Sequence, residues 1–244
     1  MISVCMATYN GERFIREQLD SILVQLSPED ELIISDDGSN DSTLDIIKSY
    51  KDSRIKLYNF DRDKSYYRKS SYLVTTNFEN ALLKASGDYI FLSDQDDVWL
   101  PGKVDACKEK LHSYDLVIHD SIVVNSKLET LYHSYFDFIN IKRGFLSNFI
   151  KIKYLGCCMC FNRKILDYVI PFTYNVSHDT WIALLSELSF KVYLLRKPFL
   201  LYRRHGKNIS MASNKSTNPL WYKIYYRIPM LYKVFFRFVK NNML

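Results

Sequence analysis

Apolar and amphipathic stretches alternate through the first half of the chain. Residues 2–7, 31–35, 88–93 and 116–119 are short, largely apolar runs of strand length, and 55–58 is a weaker one. Between them the spacing turns helical. Ile15, Leu19, Ile22, Leu23 and Leu26 share one face of a helix over 12–26. A second helix, capped by Asp41 or Ser42, carries Leu44, Ile47 and Tyr50. A third runs over 77–85 and stops at Gly87, and a fourth over 101–112 opens on a proline. Residues 61–71 are polar and without period, which predicts a loop.

The second half is less regular. It predicts a strand over 154–161, a helix over 178–188 with Asp179 in its first turn, and strands over 192–195 and 199–203 around Lys197-Pro198. The stretch 220–239 reads LWYKIYYRIPMLYKVFFRFV. Its Lys223, Arg227, Lys233 and Arg237 fall within about 120° of a helical wheel, and nearly everything else is apolar or aromatic. That predicts an amphipathic helix, kinked near Pro229. It either lies in the plane of an anionic membrane or packs on its own domain.

Strands alternating with helices make βαβ units, so the fold class is α/β with a mostly parallel, Rossmann-like sheet. In such sheets ligands bind beyond the carboxyl ends of the strands, at the point where strand order reverses. Three segments follow apolar strands and can share that rim: Thr8-Tyr9-Asn10, Asp36-Asp37 and the run Asp94-Gln95-Asp96-Asp97.

Composition narrows the class. A chain of 244 residues with 48% hydrophobic and 25% charged residues is globular, which excludes collagen-like, coiled-coil and disordered proteins. Charge is uneven. Residues 1–120 hold 14 Lys/Arg against 22 Asp/Glu, a net −8, while 121–244 hold 19 against 5, a net +14. An acidic half suits bound cations, and a basic half suits phosphates or a lipid surface. Five cysteines, three of them in the run 157–160, read as buried reduced thiols. The start of the chain lacks the pattern of a signal peptide, and no stretch reaches 18 uncharged apolar residues. The expected place is the cytoplasm, peripheral on the inner face of the cell membrane.

The carboxylates carry the chemistry. With 19 Asp in the chain, roughly 1.5 D-x-D pairs arise by chance, so the pattern alone says little. Asp61-x-Asp63 lies in a polar stretch and reads as solvated surface. Asp94-x-Asp96 closes an apolar strand, where crowded carboxylates repel unless a cation joins them. A hard divalent metal, Mg or Mn, is the economical partner; a capping cluster before the next helix is the plainer alternative. Such a metal completes its shell with phosphate oxygens and water. Asp36-Asp37 cannot bind phosphate but suits hydroxyl or imide donors, as in a ribose or a pyrimidine. Metal, diphosphate and nucleoside then fit one crevice.

These segments resemble the family 2 glycosyltransferases, which have the A-type nucleotide-sugar fold. The likeness runs in family order through SVCMATYNG (3–11), ISDDGS (34–39), NFENALLKASGDYIFLSDQDDVW (77–99), HDTW (178–181) and YRRHGKNIS (202–210). SDQDDVW (93–99), HDTW and YRRHGKNIS are similar to the rhamnosyltransferase-like branch. The resemblance implies that Thr8, Tyr9, Asp36 and Asp37 contact the nucleoside, with Asn10, Asn77 and Asp94 completing the donor-binding set. It implies Asp94 and Asp96 as the metal pair, Asp96 the direct ligand, and His205 as a residue that reaches metal or diphosphate. It implies Asp179 as the base. Trp99 and Trp181 have two readings, a sugar platform or, the commoner fate of Trp, core. The stretch 61–76 lacks the glycine that relatives often carry in a donor loop, which leaves the donor sugar open and Arg68 and Lys69 as weak phosphate candidates.

The expectation is an inverting, metal-dependent hexosyltransferase. It would use a nucleoside diphosphate sugar, such as dTDP-rhamnose, and a growing lipid-linked surface polysaccharide as acceptor. UDP-dependent galactosyl, glucosyl or N-acetylhexosaminyl transfer is the alternative within the family. The catalytic domain would occupy 1–215, divided into a nucleotide-sugar half (1–120) and an acceptor half (121–215), and the basic helical tail 216–244. A haloacid-dehalogenase-like phosphatase is the rival from another class, since Asp94-Gln95-Asp96-Asp97-Val98 also fits D-x-D-x-[TV]. That motif normally follows a first strand, and here it follows a fourth. A nucleotidyltransferase would need a glycine-rich phosphate loop after the first strand. A nucleic-acid-binding module is opposed by the acidic half and by the absence of a recognised motif.

Overall fold

The apolar runs of the first half become the buried centre of one sheet in the computed structural model, which describes residues 1–60, 70–173, 175–205 and 220–243. The strands are β1 (Ile2–Thr8), β2 (Glu31–Asp36), β3 (Ile55–Asn59), β4 (Tyr89–Asp94), β5 (Val98–Trp99), β6 (Leu116–Asn125), β7 (Thr130–Tyr132), β8 (Met159–Asn162) and β9 (Val192–Arg204). The helices are α1 (Ile15–Leu23), α2 (Thr43–Ser49), α3 (Ser70–Leu82), α4 (Lys103–Leu111), α5 (Tyr135–Ile139), α6 (Phe145–Ile150), α7 (Arg163–Val169), α8 (His178–Ser189) and α9 (Leu220–Met243).

Strand order is β3-β2-β1-β4-β8-β6-β9-β5, with β7 on β6. The β3-β2-β1-β4 pairs are parallel. β8 runs antiparallel between β4 and β6, so β6 regains the common direction and β9 follows it in parallel. Helices cover the sheet, which is why β1 and β2 read as unbroken apolar runs rather than as alternation. Ile15, Leu19 and Ile22 of α1, Phe78, Ala81 and Leu82 of α3 and Ile182, Leu184 and Leu185 of α8 join the strands in one core.

Several elements differ from the sequence expectation. The stretch 154–161 is not one strand: a 3-10 turn over Gly156–Cys158 precedes the four residues of β8. The strands expected over 192–195 and 199–203 are one, the 13-residue β9. Pro198 falls where the β6–β9 register shifts, a place that tolerates its missing N–H. β6 runs on past 119 because the buried Asp120 is satisfied locally. It accepts from Ser121 N at 2.8 Å, Phe136 N at 2.9 Å and Ser134 Oγ at 2.5 Å. α3 begins at Ser70 rather than 77, and the rest of the loop expected over 61–71, with Asp61, Asp63, Arg68 and Lys69, lies outside the described residues. Trp99 and Trp181 are core residues, 2% and 1% exposed, and do not form a sugar platform. The five cysteines are free and buried.

Candidate active site

Strand order reverses at β1: β2 and β3 lie on one side of it, β4 on the other. Register then sets the rim. Thr8 pairs with Asp36 and Ala7 with Asp94, so the ends of three adjacent strands meet at the switch point. On the β2 side, Asp36 is oriented from three directions. Its Oδ2 accepts Thr8 Oγ1 at 2.8 Å and Ser39 Oγ at 2.6 Å, and its Oδ1 accepts Ser39 N at 2.7 Å. Asp37 follows, buried, its N–H donated to Thr8 O at 3.0 Å. Asn77 reaches up from α3 and donates Nδ2 to the same Thr8 carbonyl at 3.1 Å.

The residues after β1 are fastened to those after β4. Gln95 Oε1 accepts Tyr9 N at 2.9 Å and Gln95 Nε2 donates to Tyr9 O at 3.0 Å. A Cβ on Gly11 would meet Gln95 Oε1 at 2.5 Å, so this glycine clears the space that the Gln95 clamp occupies. Tyr9 is held by its backbone with its side chain half exposed, in the manner of a stacking surface. Asn10 sits at φ +48, and its Oδ1 accepts Asn40 N at 2.9 Å.

The β4 side gathers negative charge. Asp94 is pushed up to about 7, first by burial and then by the charges of Asp96 and Asp179. Asp97, fully buried, is raised by burial and by Asp96 and Asp94. Asp94, Asp97 and Cys157 each offer a ligand atom within 4.8 Å of the others. Asp96 Oδ2 lies 2.7 Å from His205 Nε2, and the His205 ring stacks on Phe14 with centroids 5.0 Å apart. A donor set of crowded carboxylates with an imidazole beside them fits a divalent metal, which would relieve their mutual repulsion.

Arg203 holds this loop in place. It is 2% exposed and donates its N–H to Asp97 Oδ1 at 2.9 Å, Nε to Asp96 O at 2.7 Å and Nη1 to Ser126 O at 3.1 Å; Nη2 pairs with Glu17 of α1. Its guanidinium lies 4.5 Å from the centre of the Phe14 ring.

Asp179 enters from the start of α8. Its Oδ1 takes Thr180 N at 2.6 Å and the Ser177 hydroxyl, while among the described residues nothing is bonded to Oδ2. Its neighbour His178 is buried, stacked on Phe78 at 4.2 Å, with neither ring nitrogen hydrogen-bonded among the described residues, and burial lowers its pKa. A Cβ at Gly156 would stand 2.7 Å from His178 Nε2 and 3.6 Å from Asp179 Cβ. The 3-10 turn that replaces the expected strand thus makes room for the start of α8.

The fold therefore brings Thr8, Tyr9, Asn10, Asp36, Asp37, Asn77, Asp94, Asp96, Asp179 and His205 to one end of the sheet. Thr8 and Asn77 are buried; Thr8 orients Asp36, and Asn77 donates through Nδ2 to the Thr8 carbonyl. Sequence reading passed over Gln95, Ser39 and Arg203. Gln95 is the middle letter of a D-x-D pair and carries no pattern of its own. Ser39 stands three residues after Asp36 and closes a turn through Asp-Gly, whose turn-forming residues were the available signal. Arg203 looks like one more cation in a basic stretch until the long strand delivers it to the loop.

The profile of the family described as Glycosyl transferase family 2 matches residues 3–170. The chain is 25% identical over 229 residues to the Escherichia coli UDP-Glc:alpha-D-GlcNAc-diphosphoundecaprenol beta-1,3-glucosyltransferase WfgD, covering 88% of this chain and 81% of that protein. It is 29% identical over 224 residues to the Shigella flexneri dTDP-rhamnosyl transferase RfbG, covering 83% and 72%. Among solved structures it is similar to S. aureus TarS 1-349 in complex with UDP-GlcNAc, with TM-score 0.65, 21% identity and 86% of this chain covered. The mannosyltransferase PcManGT from Pyrobaculum calidifontis in complex with GDP-Man and Mn2+ gives TM-score 0.61, 19% identity and 85% of this chain. The chain spans about three fifths of each of those two solved chains, 61% and 58%, and the likeness to them is one of fold.

Proposed function

The chain belongs to glycosyl transferase family 2, and from that premise we propose that it transfers a hexosyl unit, with inversion, from a nucleoside diphosphate sugar to a lipid-linked glycan during polysaccharide biosynthesis. The observation that carries the reading is a division of labour among carboxylates. Asp36 is oriented by hydroxyls for a polar ligand, Asp94 and Asp96 are crowded beside His205, and Asp179 stands apart on another element with one oxygen open.

Each group has a task that its surroundings suit. Asp36, fixed by Thr8 and Ser39, accepts hydrogen bonds from the nucleoside, and the half-exposed Tyr9 ring offers a surface for the base. Asp94, Asp96 and His205 would hold the divalent metal. A metal bound there supplies positive charge to the departing diphosphate. Asp179 takes the proton of the acceptor hydroxyl through Oδ2. Thr180 N–H and Ser177 fix Oδ1, so the carboxylate does not have to find its orientation during the reaction. A base held on α8, an element separate from the metal loop, remains available to the acceptor.

The donor we favour is dTDP-rhamnose, on the HDTW and YRRHGKNIS segments and the similarity to RfbG. UDP-glucose is the second reading, on the similarity to WfgD. Thermal stability against dTDP, UDP, GDP and CMP, each with and without Mn2+, separates them. A ligand at 100 times its Kd adds about 2.7 kcal/mol. A metal-dependent rise with dTDP alone supports rhamnosyl transfer, and a rise with UDP alone replaces it by the second reading. No rise with any nucleotide overturns the function.

A further inference from the structure

Helix α9 meets its own domain with the side that the sequence marks as basic. Met230 and Val234 are buried there, with Arg227 and Arg237 half-buried beside them. Both guanidinium groups sit on the ends of other helices. Arg237 Nη1 donates to the carbonyls of Tyr168, Val169 and Ile170 at 3.2, 3.1 and 3.0 Å, where α7 ends, and Nη2 donates to Pro171 O at 2.7 Å. Its guanidinium also lies 5.5 Å from the centre of the Trp181 ring. Arg227 donates to the carbonyl of Ile150, the last residue of α6. Free carbonyls and the negative end of the helix dipole favour a cation at such ends.

With the arginines used this way, the apolar side of α9 faces outward. Trp221, Tyr225, Ile228, Tyr232, Phe236 and Met243 are between 61% and 79% exposed. At 100° per residue they fall within about 80° of the wheel, opposite Met230 and Val234. The basic side of the helix is thus turned to the domain. α6 continues the patch: Leu146 and Ile150 are 71% and 63% exposed, and the Phe145 and Phe235 rings meet at 6.0 Å. Cations border it. Lys142, Arg143 and Lys151 are exposed at the two ends of α6, and no Asp or Glu occurs between 138 and 166 or after 187.

We infer that α6 and α9 form a platform that docks on an anionic lipid bilayer, with the aromatic side of α9 entering the headgroup boundary. Aromatic residues bordered by lysine and arginine suit that boundary, where rings sit among headgroups and cations meet lipid phosphates. A second copy of the chain fits the patch less well, because it would bring the same cations against these. Among the described residues no helix is long and apolar enough to cross a membrane, so α9 lies on the surface. The inference rests on exposure and charge and stands whether or not the proposed acceptor is lipid-linked.

Vesicles test it with no donor or acceptor present, so the outcome is independent of the transfer reaction. Trp99 and Trp181 are buried and Trp221 is 68% exposed, so the emission of Trp221 reports on α9. The full chain should float with phosphatidylcholine vesicles containing phosphatidylglycerol and show a blue shift. It should bind pure phosphatidylcholine about tenfold more weakly, and the difference should shrink in high salt. Tyr232→Glu with Phe236→Glu should reduce flotation about tenfold or more with an unchanged circular dichroism spectrum, since both side chains are exposed. Leu146→Glu with Ile150→Glu should reduce it less. Equal binding of both vesicle types, or variants that float like wild type, would overturn the inference. So would a dimer in lipid-free solution that the Tyr232 and Phe236 changes dissociate, because a second copy would then be the occupant.

Discussion

The two ends of β1, β2 and β4 carry carboxylates that the fold treats in opposite ways. At the amino ends, Asp30 accepts Ile2 N at 2.7 Å and Ser27 N at 3.0 Å. Glu31 accepts Ser3 Oγ and Lys56 Nζ, each at 2.5 Å, and both the N–H and hydroxyl of Ser86. Burial alone would raise Glu31, but these donors win and hold it down at about 2. At the carboxyl ends, Asp94 is pushed up to about 7, and Asp97 is raised as well. One end answers its negative charge from within the chain. At the other, burial and mutual repulsion outweigh the donors that reach Asp94 and Asp97, which suits a site for a cationic ligand.

The contrast breaks most deeply at Asp179. Asp179→Asn should lower turnover by about 10²–10⁴-fold with nucleotide binding unchanged, as read by initial rates and thermal shift. Retained turnover would remove it as the base. Asp96→Asn should abolish the metal-dependent part of the nucleotide shift, about 2.7 kcal/mol at 100 times Kd, while the metal-free melting point holds or rises. Glu31→Gln at the other end should do the reverse. It should cost about 1.5–3 kcal/mol in denaturant unfolding and leave kcat/KM intact. In wild type that increment is present above about pH 4.5 and is lost as pH falls towards about 2.

The smallest effect separates the ends by titration. A proton competes with metal at Asp94, so Mn2+ affinity in calorimetry should fall by up to about tenfold per pH unit below about 7. Without metal the sign is opposite to that of Glu31. The folded state holds a proton on Asp94 that the unfolded chain releases near 3.8, so this group's contribution to stability declines as pH rises from about 4 to 7. Asp94→Asn should remove that slope, and a slope that persists would place the raised carboxyl elsewhere.

Much of this was legible from local pattern. β1, β2 and β4 are buried on both faces and therefore appear as plain apolar runs, and their ends locate the rim once the sheet is parallel. The second half resisted because its elements answer to distant partners. β5 has two residues, too few for a period, and it exists because β9 pairs with it. Residues 154–161 have strand composition, yet the chain turns at Gly156 to clear His178. Pro198 looks like a break and sits harmlessly at a bulge. The stripe of cations on α9 left open whether the helix meets a membrane or its own domain. Only the ends of α6 and α7, which no periodicity announces, turn Arg227 and Arg237 inward.

β9 also acts as a length standard. Its register on β6 steps from Leu195 opposite His119 to Pro198 opposite Asp120 and Leu201 opposite Ile122, so extra residues are taken up in the middle of the strand. Those residues set how far the chain has advanced when it reaches the metal loop. Side chains alternate with period two along a strand, so one residue gained or lost between 195 and 201 would bring Tyr202 or Arg204 to the place of Arg203. The hydrophobic ladder below the bulge would be untouched. The site is therefore more sensitive to insertion than to substitution along this stretch, and relatives that share the chemistry should keep the count there even where they change the letters.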